Sequence, residues 1–556
     1  MDHMQLSRRS FLAYLGSGAV SLAAASTGLF VFANEAEAAQ ARQLYEKKTA
    51  PVTGEFASVA ASKKDDLQLP KGFRYDVIAA YGDPINERGD TFGYDSAFTC
   101  FFPLNGSNVH GLLWIGHDSA QSSLLRKGAS DSAGAEQTRQ MLYEQGGTIL
   151  EVYRGQDGTW RADSGSVYAR RVTGLDRIEL TGPARSSSAV ANVQQVQGVI
   201  ALSSGGQTLW GTVLAGERHF EAACREAGLP LNHYGWMVEV DPQDSQKPPA
   251  KHTALGRFNH GGAAMTVAKD GRLVVYMGDS KPDSCLYKYI SNKPYDEVKG
   301  KANSELLTDG TLYAANLETG EWTALTIEAV QKAIGDIRFR IPKALSYTKE
   351  QLTDMFKTQS DVLVFAHEAA LILGATPTDQ PEEVEISPQD GTLYIAYRHN
   401  PLHGNLHGYI ARVVEQRGDP GSGVFRFEIV ASGGSRSGFS SPGKLAFDRD
   451  GRLWVATCVP SGKLYKGTYA EFQNNGLYVT TVHAEGKSSS FRFANAPVAA
   501  EFGGIWFTPD ERTMFVSVQH PGETTTDLSK PTSRWPHRKG DTLPRPAIVA
   551  VSGFDG

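Results

Sequence analysis

One local design recurs along this chain, a tight acidic turn followed at once by a short strand with apolar residues at alternate positions. Asp270-Gly-Arg-Leu-Val-Val-Tyr, Asp390-Gly-Thr-Leu-Tyr-Ile-Ala and Asp450-Gly-Arg-Leu-Trp-Val-Ala are its clearest copies. Asp510-Glu-Arg-Thr-Met-Phe-Val-Ser-Val carries Glu in place of Gly, and Val109-His-Gly-Leu-Leu-Trp-Ile is a further copy. An Asp-Gly pair favours a tight hairpin, and the alternation turns one strand face toward a neighbouring layer. Hairpins repeating at irregular intervals predict an all-β fold, a β-propeller whose blades carry inserted loops. A β-sandwich or several small β-domains is the competing arrangement, and the repetition favours the propeller. A few short helices are expected over Thr138–Gln145, Glu217–Ala227, Ile327–Ile334 and Lys349–Gln359.

The N-terminus reads as an address. Ser7-Arg8-Arg9-Ser10-Phe11-Leu12 is a paired-arginine signature, followed by an apolar run from Ala13 to Ala33 and the small-x-small site Ala36-Glu37-Ala38. A permanent anchor needs about 20 strongly apolar residues, whereas this run leans on Ala, Gly and Ser. A removable twin-arginine signal cleaved before Ala39 is the expectation, with a periplasmic or secreted product and no stable membrane insertion afterwards. The expected organisation is a signal at 1–38, an extension at 39–69 and one propeller domain at 70–556. A net charge of −6 with interspersed signs gives no nucleic-acid partner, and a monomer is expected. Cys100, Cys224, Cys285 and Cys458 match no zinc or redox spacing, so both disulfides and buried free thiols stay open.

Propellers place functional groups around a central channel, so their ligands are far apart in sequence. Hard cations need several oxygen donors, and iron adds imidazole, carboxylate or thiolate. Asp118, Glu217, Glu382 and Glu501 lie beside glycine turns or strand ends and are candidate ligands. His260 precedes Gly261-Gly262, His403 and His407 are four apart in a Pro- and Gly-rich loop, and His520 lies in Val518-Gln-His-Pro-Gly-Glu. Taken singly, each reads more readily as an ordinary solvated, turn or loop residue than as a ligand. The chain has no P-loop, no strand–GxGxxG–helix unit and no nucleophile elbow.

Together these segments resemble the PhoX-type alkaline phosphatases, over Phe92 to about Glu523. The landmarks run in order through Phe92-Gly-Tyr-Asp, Gly111-Leu-Leu-Trp-Ile-Gly-His-Asp, Trp210-Gly-Thr-Val-Leu-Ala-Gly-Glu and Tyr234-Gly-Trp-Met-Val-Glu-Val-Asp-Pro. They continue through Leu255-Gly-Arg-Phe-Asn-His-Gly, Tyr276-Met-Gly-Asp, Gln380-Pro-Glu, Gly408-Tyr-Ile-Ala-Arg, Phe507-Thr-Pro-Asp and Gln519-His-Pro-Gly-Glu. The resemblance implies a six-bladed propeller whose channel holds iron and calcium and hydrolyses phosphate monoesters. It makes Asp118, Glu217, Glu382, Glu501 and His260 the expected metal ligands, with Glu382 catalytic. Arg398, which stands where the family has a small polar residue, is the other catalytic residue expected, as a substitute rather than a family position.

The chain departs from the family pattern at several of these places. Ser203 stands at the family's cysteine position, and a hydroxyl is a poor iron ligand beside a thiolate. His260-Gly261 replaces His-Glu, Gln380-Pro381-Glu382 replaces Arg-Pro-Glu, and Gly116-His117-Asp118 replaces Asn-His-Glu. Ser441-Pro442-Gly443 and Thr457-Cys458 replace Ser-Pro-Asp and Thr-Asp. Arg398, His399 and Arg218 are possible substitutes for the lost charge. Calcium is therefore expected and iron placed in doubt. Three functions follow: a divergent metal-dependent phosphatase acting on small phosphorylated substrates, a propeller repurposed for binding or scaffolding, and a different reaction using a metal held by His260, His403, His407 and His520.

Overall fold

The computed structural model describes residues 56–118, 134–482 and 488–554. The paired-arginine signature and its cleavage site lie outside these residues. All five copies of the turn-then-strand design occupy the same place in the architecture. They form the strands His110–His117, Arg272–Asp279, Leu393–Tyr397, Leu453–Thr457 and Thr513–Gln519, each the second strand of its own sheet. The turn chemistry explains the start of each strand. Gly271 adopts φ 87°, which a glycine meets without a Cβ clash, and the Asp270 carboxylate accepts from the Arg272 backbone N–H. Where the fourth copy lacks glycine, Glu511 is forced to φ 56°, and its carboxylate accepts from the Arg449 N–H.

Among the described residues six sheets of four or more strands form blades, beside one two-stranded sheet. The innermost strands of the blades are Ser96–Pro103, Leu202–Gln207, His260–Val267, Pro381–Ile386, Pro442–Phe447 and Glu501–Phe507. Each touches the next in this order, and the sixth touches the first, so the blades close into a ring. The ring is sealed by sequence-distant partners. Arg74–Ala80 pairs antiparallel with Ala547–Ser552, adding an N-terminal strand to the sixth blade. Residues on opposite faces of the alternating strands fill the gaps between blades. Trp114 and Trp236 pack between the first and second blades, and Trp454, Phe493 and Phe502 between the fifth and sixth. Phe101 stacks on Phe515 at 5.2 Å across the sixth and first blades. These are the large aromatic contributions expected to dominate core energetics.

Helices are short and mostly inserted between the third and fourth blades. The predicted helix over Ile327–Ile334 is observed at Ile327–Gly335, and that over Thr138–Gln145 at Gly134–Glu144. Two expectations are corrected. Glu217 ends the strand Val213–Glu217, and the helix begins only at Phe220, after His219 takes a left-handed φ of 51°. Lys349–Gln359 is instead split. The first helix stops at Met355, and Thr358 caps a new one over Gln359–Val364 in a box with Asp361. A further helix, Ala366–Ile372, follows. All four cysteines are buried free thiols. Among the described residues no helix is long and apolar enough to cross a membrane.

Candidate functional site

In every blade the first residue of the innermost strand pairs with the last residue of the second strand. Ser96 faces His117, Leu202 faces Glu217, His260 faces Asp279, Pro381 faces Tyr397, Pro442 faces Thr457 and Glu501 faces Gln519. Residues flanking those pairs therefore line one rim of the central channel. Each of these hairpins also has a register irregularity close to the rim. Bulges of this kind re-aim side chains and are common beside functional sites.

The rim is stitched by two arginines. Arg218, just past the second strand of the second blade, is buried, and its Nη2 donates to Asp118 Oδ2 of the first blade at 2.8 Å. Its Nη1 donates to Glu382 of the fourth blade and to Ser280 Oγ of the third at 3.3 Å. The first and fourth blades are opposite each other in the ring, so this guanidinium spans the channel mouth. Arg398, just past the second strand of the fourth blade, donates from Nε and Nη2 to the Cys458 carbonyl at 3.1 and 2.7 Å. Its Nη2 also meets Glu501 Oε1 of the sixth blade at 3.3 Å, while Nη1 has no hydrogen-bond partner among the described residues.

The charges follow from these contacts. Burial alone would raise both carboxyls, but Arg218 and His219 hold Asp118 well below the usual carboxylate range. Arg218, Arg398 and Lys444 likewise pull Glu382 down to about 2. His520 lies just past the second strand of the sixth blade. Burial disfavours its charged form, yet Asp95, Glu523 and Glu501 outweigh that and raise it to about 9. Asp95, just before the first innermost strand, is driven upward by burial against the pull of His520. His399 is pushed down to about 3 by burial and by Arg398. Further along the channel wall, the buried Lys444 Nζ of the fifth blade donates to the Ser203 carbonyl of the second at 3.1 Å and to Glu383 Oε2 of the fourth at 2.9 Å.

The structure thus brings Asp118, Glu382, Glu501 and Arg398 to one rim. It places two other expected metal ligands elsewhere. Glu217 turns into the second blade, where Lys251 Nζ lies 2.9 Å from its Oε1 and the backbone N–H groups of Ile200, Gly235 and Trp236 donate to it. That carboxylate is fully engaged. His260 packs its ring at 4.0 Å from Phe258, and burial lowers it to about 4, so it is a neutral core imidazole. The other histidines do not converge on it. His403 lies 3.0 Å from both Asp283 and Asp379, and His407 pairs with Ser440 at 2.9 Å. Asp95 and Lys444 were not singled out by the sequence, although Asp95 occupies the equivalent rim position in the first blade.

A bound metal is what the family pattern implies, and the side chains present do not fit one. Among the described residues no group of three or more His, Cys, Asp or Glu side chains is arranged to hold a metal ion. Asp118 and Glu382 face the Arg218 guanidinium, Glu501 faces Arg398, and Glu217 faces Lys251. Ser203 offers a buried hydroxyl, without a hydrogen-bond partner among the described residues, in place of a thiolate.

Residues 54–522 match the alkaline phosphatase PhoX family. Pseudomonas fluorescens PhoX in complex with vanadate, a transition state analogue, superposes with a TM-score of 0.77 at 28% identity, covering 89% of this chain and 97% of that one. A Dyadobacter fermentans protein of unknown function gives a TM-score of 0.39 at 11% identity, covering 87% of this chain and 99% of that one, too distant to inform the site. No curated protein matches the chain. With one family matched across most of its length and the same ring of blades in a solved relative, the chain belongs to the alkaline phosphatase PhoX family.

Proposed function

We propose that the channel rim binds phosphate monoesters and hydrolyses them, with Arg398 and His520 supplying the positive charge that faces the phosphoryl group. The observation that carries this is the pairing of an Arg398 Nη1 that has no hydrogen-bond partner among the described residues with a His520 imidazolium, both interacting with Glu501. Guanidinium groups suit phosphate because their planar donors match its oxygens. In the step proposed, water attacks phosphorus while the bond to the ester oxygen breaks. His520, protonated at neutral pH, gives its proton to the departing alkoxide, so an alcohol and inorganic phosphate leave. Family membership supports this substrate class.

A second reading is binding of the phosphate ester without turnover. It is favoured by Arg218, whose two fork ends are both held by buried carboxylates. Turnover of p-nitrophenyl phosphate and titration with inorganic phosphate separate the two on the purified chain. Arg398→Gln is expected to weaken phosphate binding roughly ten- to hundredfold, the loss of a charge-assisted hydrogen bond of about 1.5–3 kcal/mol. Folded wild-type protein showing neither binding nor turnover would remove both readings. The paired Arg8-Arg9 supports export through the twin-arginine route to the cell envelope, checked by replacing both with Lys and following the chain's location.

A further inference from the structure

We infer that two built-in side-chain cations, Arg218 and Lys444, stand where other members of the family carry channel metals, so that this channel works without a divalent cation. The inference rests on the phosphate reading only for the ligand it names; the replacement of metal stands on the side chains themselves.

Both cations cross the ring in a way that surface arginines and lysines do not. Arg218 leaves the second blade and lies between carboxylates of the first and fourth, which face each other across the channel. Lys444 leaves the fifth blade and donates to the second, again across the ring, and to the Glu383 carboxylate of the fourth. Each is buried, with side-chain exposures of 6% and 5%. A buried cation is retained only when its charge and donors are matched. Here the matching groups are the oxygens that a hard cation would need. A divalent ion entering beside Asp118 and Glu382 would meet a fixed positive charge within a few ångströms, in surroundings that screen it poorly.

The same geometry leaves polar atoms over. Among the described residues Arg218 Nε is buried without a hydrogen-bond partner, as are Asp118 Oδ1, Ser203 Oγ and Glu383 Oε1. The unmatched set therefore includes both a donor and acceptors, as a polar ligand or ordered water in the channel requires, rather than a ring of bare oxygens around a single ion.

The test uses the full purified chain. Elemental analysis after exchange into metal-free buffer is expected to give no stoichiometric calcium or iron, and phosphate affinity is expected to be the same with and without EDTA. Stoichiometric metal in the wild-type protein, or phosphate binding lost on chelation, overturns the inference. Absence of phosphate binding under both conditions, with no metal present, would defeat the proposed function and leave the cation replacement standing. Arg218→Glu should place a third carboxylate between Asp118 and Glu382 and create calcium binding seen by titration calorimetry at one ion per chain. A folded Arg218→Glu protein that takes up no calcium counts against the inference. If that variant does not fold, the wild-type metal content decides the question alone.

Discussion

His520 shows how a single residue's surroundings fix its charge. The imidazole is largely buried, which by itself would keep it neutral, but Asp95, Glu501 and Glu523 surround it and the balance falls on the charged side. A folded-state value of about 9 against an ordinary value near 6.5 has a defined sign. The stabilisation is complete below about pH 6.5 and is lost as pH rises through about 9. The positive charge facing a phosphate follows the same course. Phosphate affinity measured between pH 7 and 10 should stay level up to about pH 8 and then fall, and in His520→Gln the fall should vanish with affinity low throughout. A wild-type profile that falls already near pH 6.5 would show that the carboxylates do not hold the proton. The fate of Glu217 is the converse case at the same scale. Its spacing beside Gly216 resembled a ligand position, but the sequence gives no sign that Lys251, on another strand, is close enough to engage it.

At the scale of the element, the second strand was readable in five of the six blades because an alternating apolar run lies there, led in four of them by an Asp turn; the second blade's Val213–Glu217 carried no such signal. The innermost strands were harder to read. They carry glycines and polar residues facing the channel, so alternation fades, and their partners are supplied by neighbouring blades. The rim address was nevertheless present in the sequence as the residue after each second strand: Asp118, Arg218, Ser280, Arg398, Cys458 and His520. What could not be read was which of these reach each other, because that depends on ring closure. Inner strands approach so closely that side chains are excluded between them. A Cβ at Gly206 would lie 2.0 Å from the Ala263 carbonyl oxygen of the next blade. Backbone cannot yield as a flexible side chain does, so Gly206→Ala should destabilise the protein by about 1–3 kcal/mol, the usual cost of overpacking. Gly335 is the exposed last residue of a helix, with nothing near its Cβ position, and Gly335→Ala should be neutral or stabilising by about 0.5 kcal/mol. Urea melts of the two variants check this; equal midpoints would mean that the blades can spread at no cost.

At the scale of the whole molecule, the ring couples the chain's N-terminal strand to the site. Arg74–Ala80 does more than complete the sixth blade. The Asp76 carboxylate accepts from the Trp160 N–H of the first blade at 3.0 Å, and Arg74 donates to the Gly158 carbonyl at 2.8 Å. Ile78 and Ala79 enter the core shared with Phe101, Trp160 and Phe515. This strand therefore latches the sixth blade to the first, which carries Asp95 and Asp118. Burial of Ile78 is worth about 1.5–3 kcal/mol, and each ladder hydrogen bond to Ala547–Ser552 adds about 0.5–1.5 kcal/mol. Against a total stability of roughly 5–15 kcal/mol, losing the strand removes a large share. It would also leave Ala547–Ser552 as an exposed edge prone to association. A chain beginning at Tyr81 should therefore melt at a markedly lower temperature than one beginning at Lys71, and its phosphate affinity should fall with it, because the His520 charge of the sixth blade depends on Asp95 of the first being held beside it. If the shorter chain keeps both its melting temperature and its phosphate affinity, the inner-strand contacts alone hold the ring, and the N-terminal strand is an attachment to the sixth blade rather than its latch.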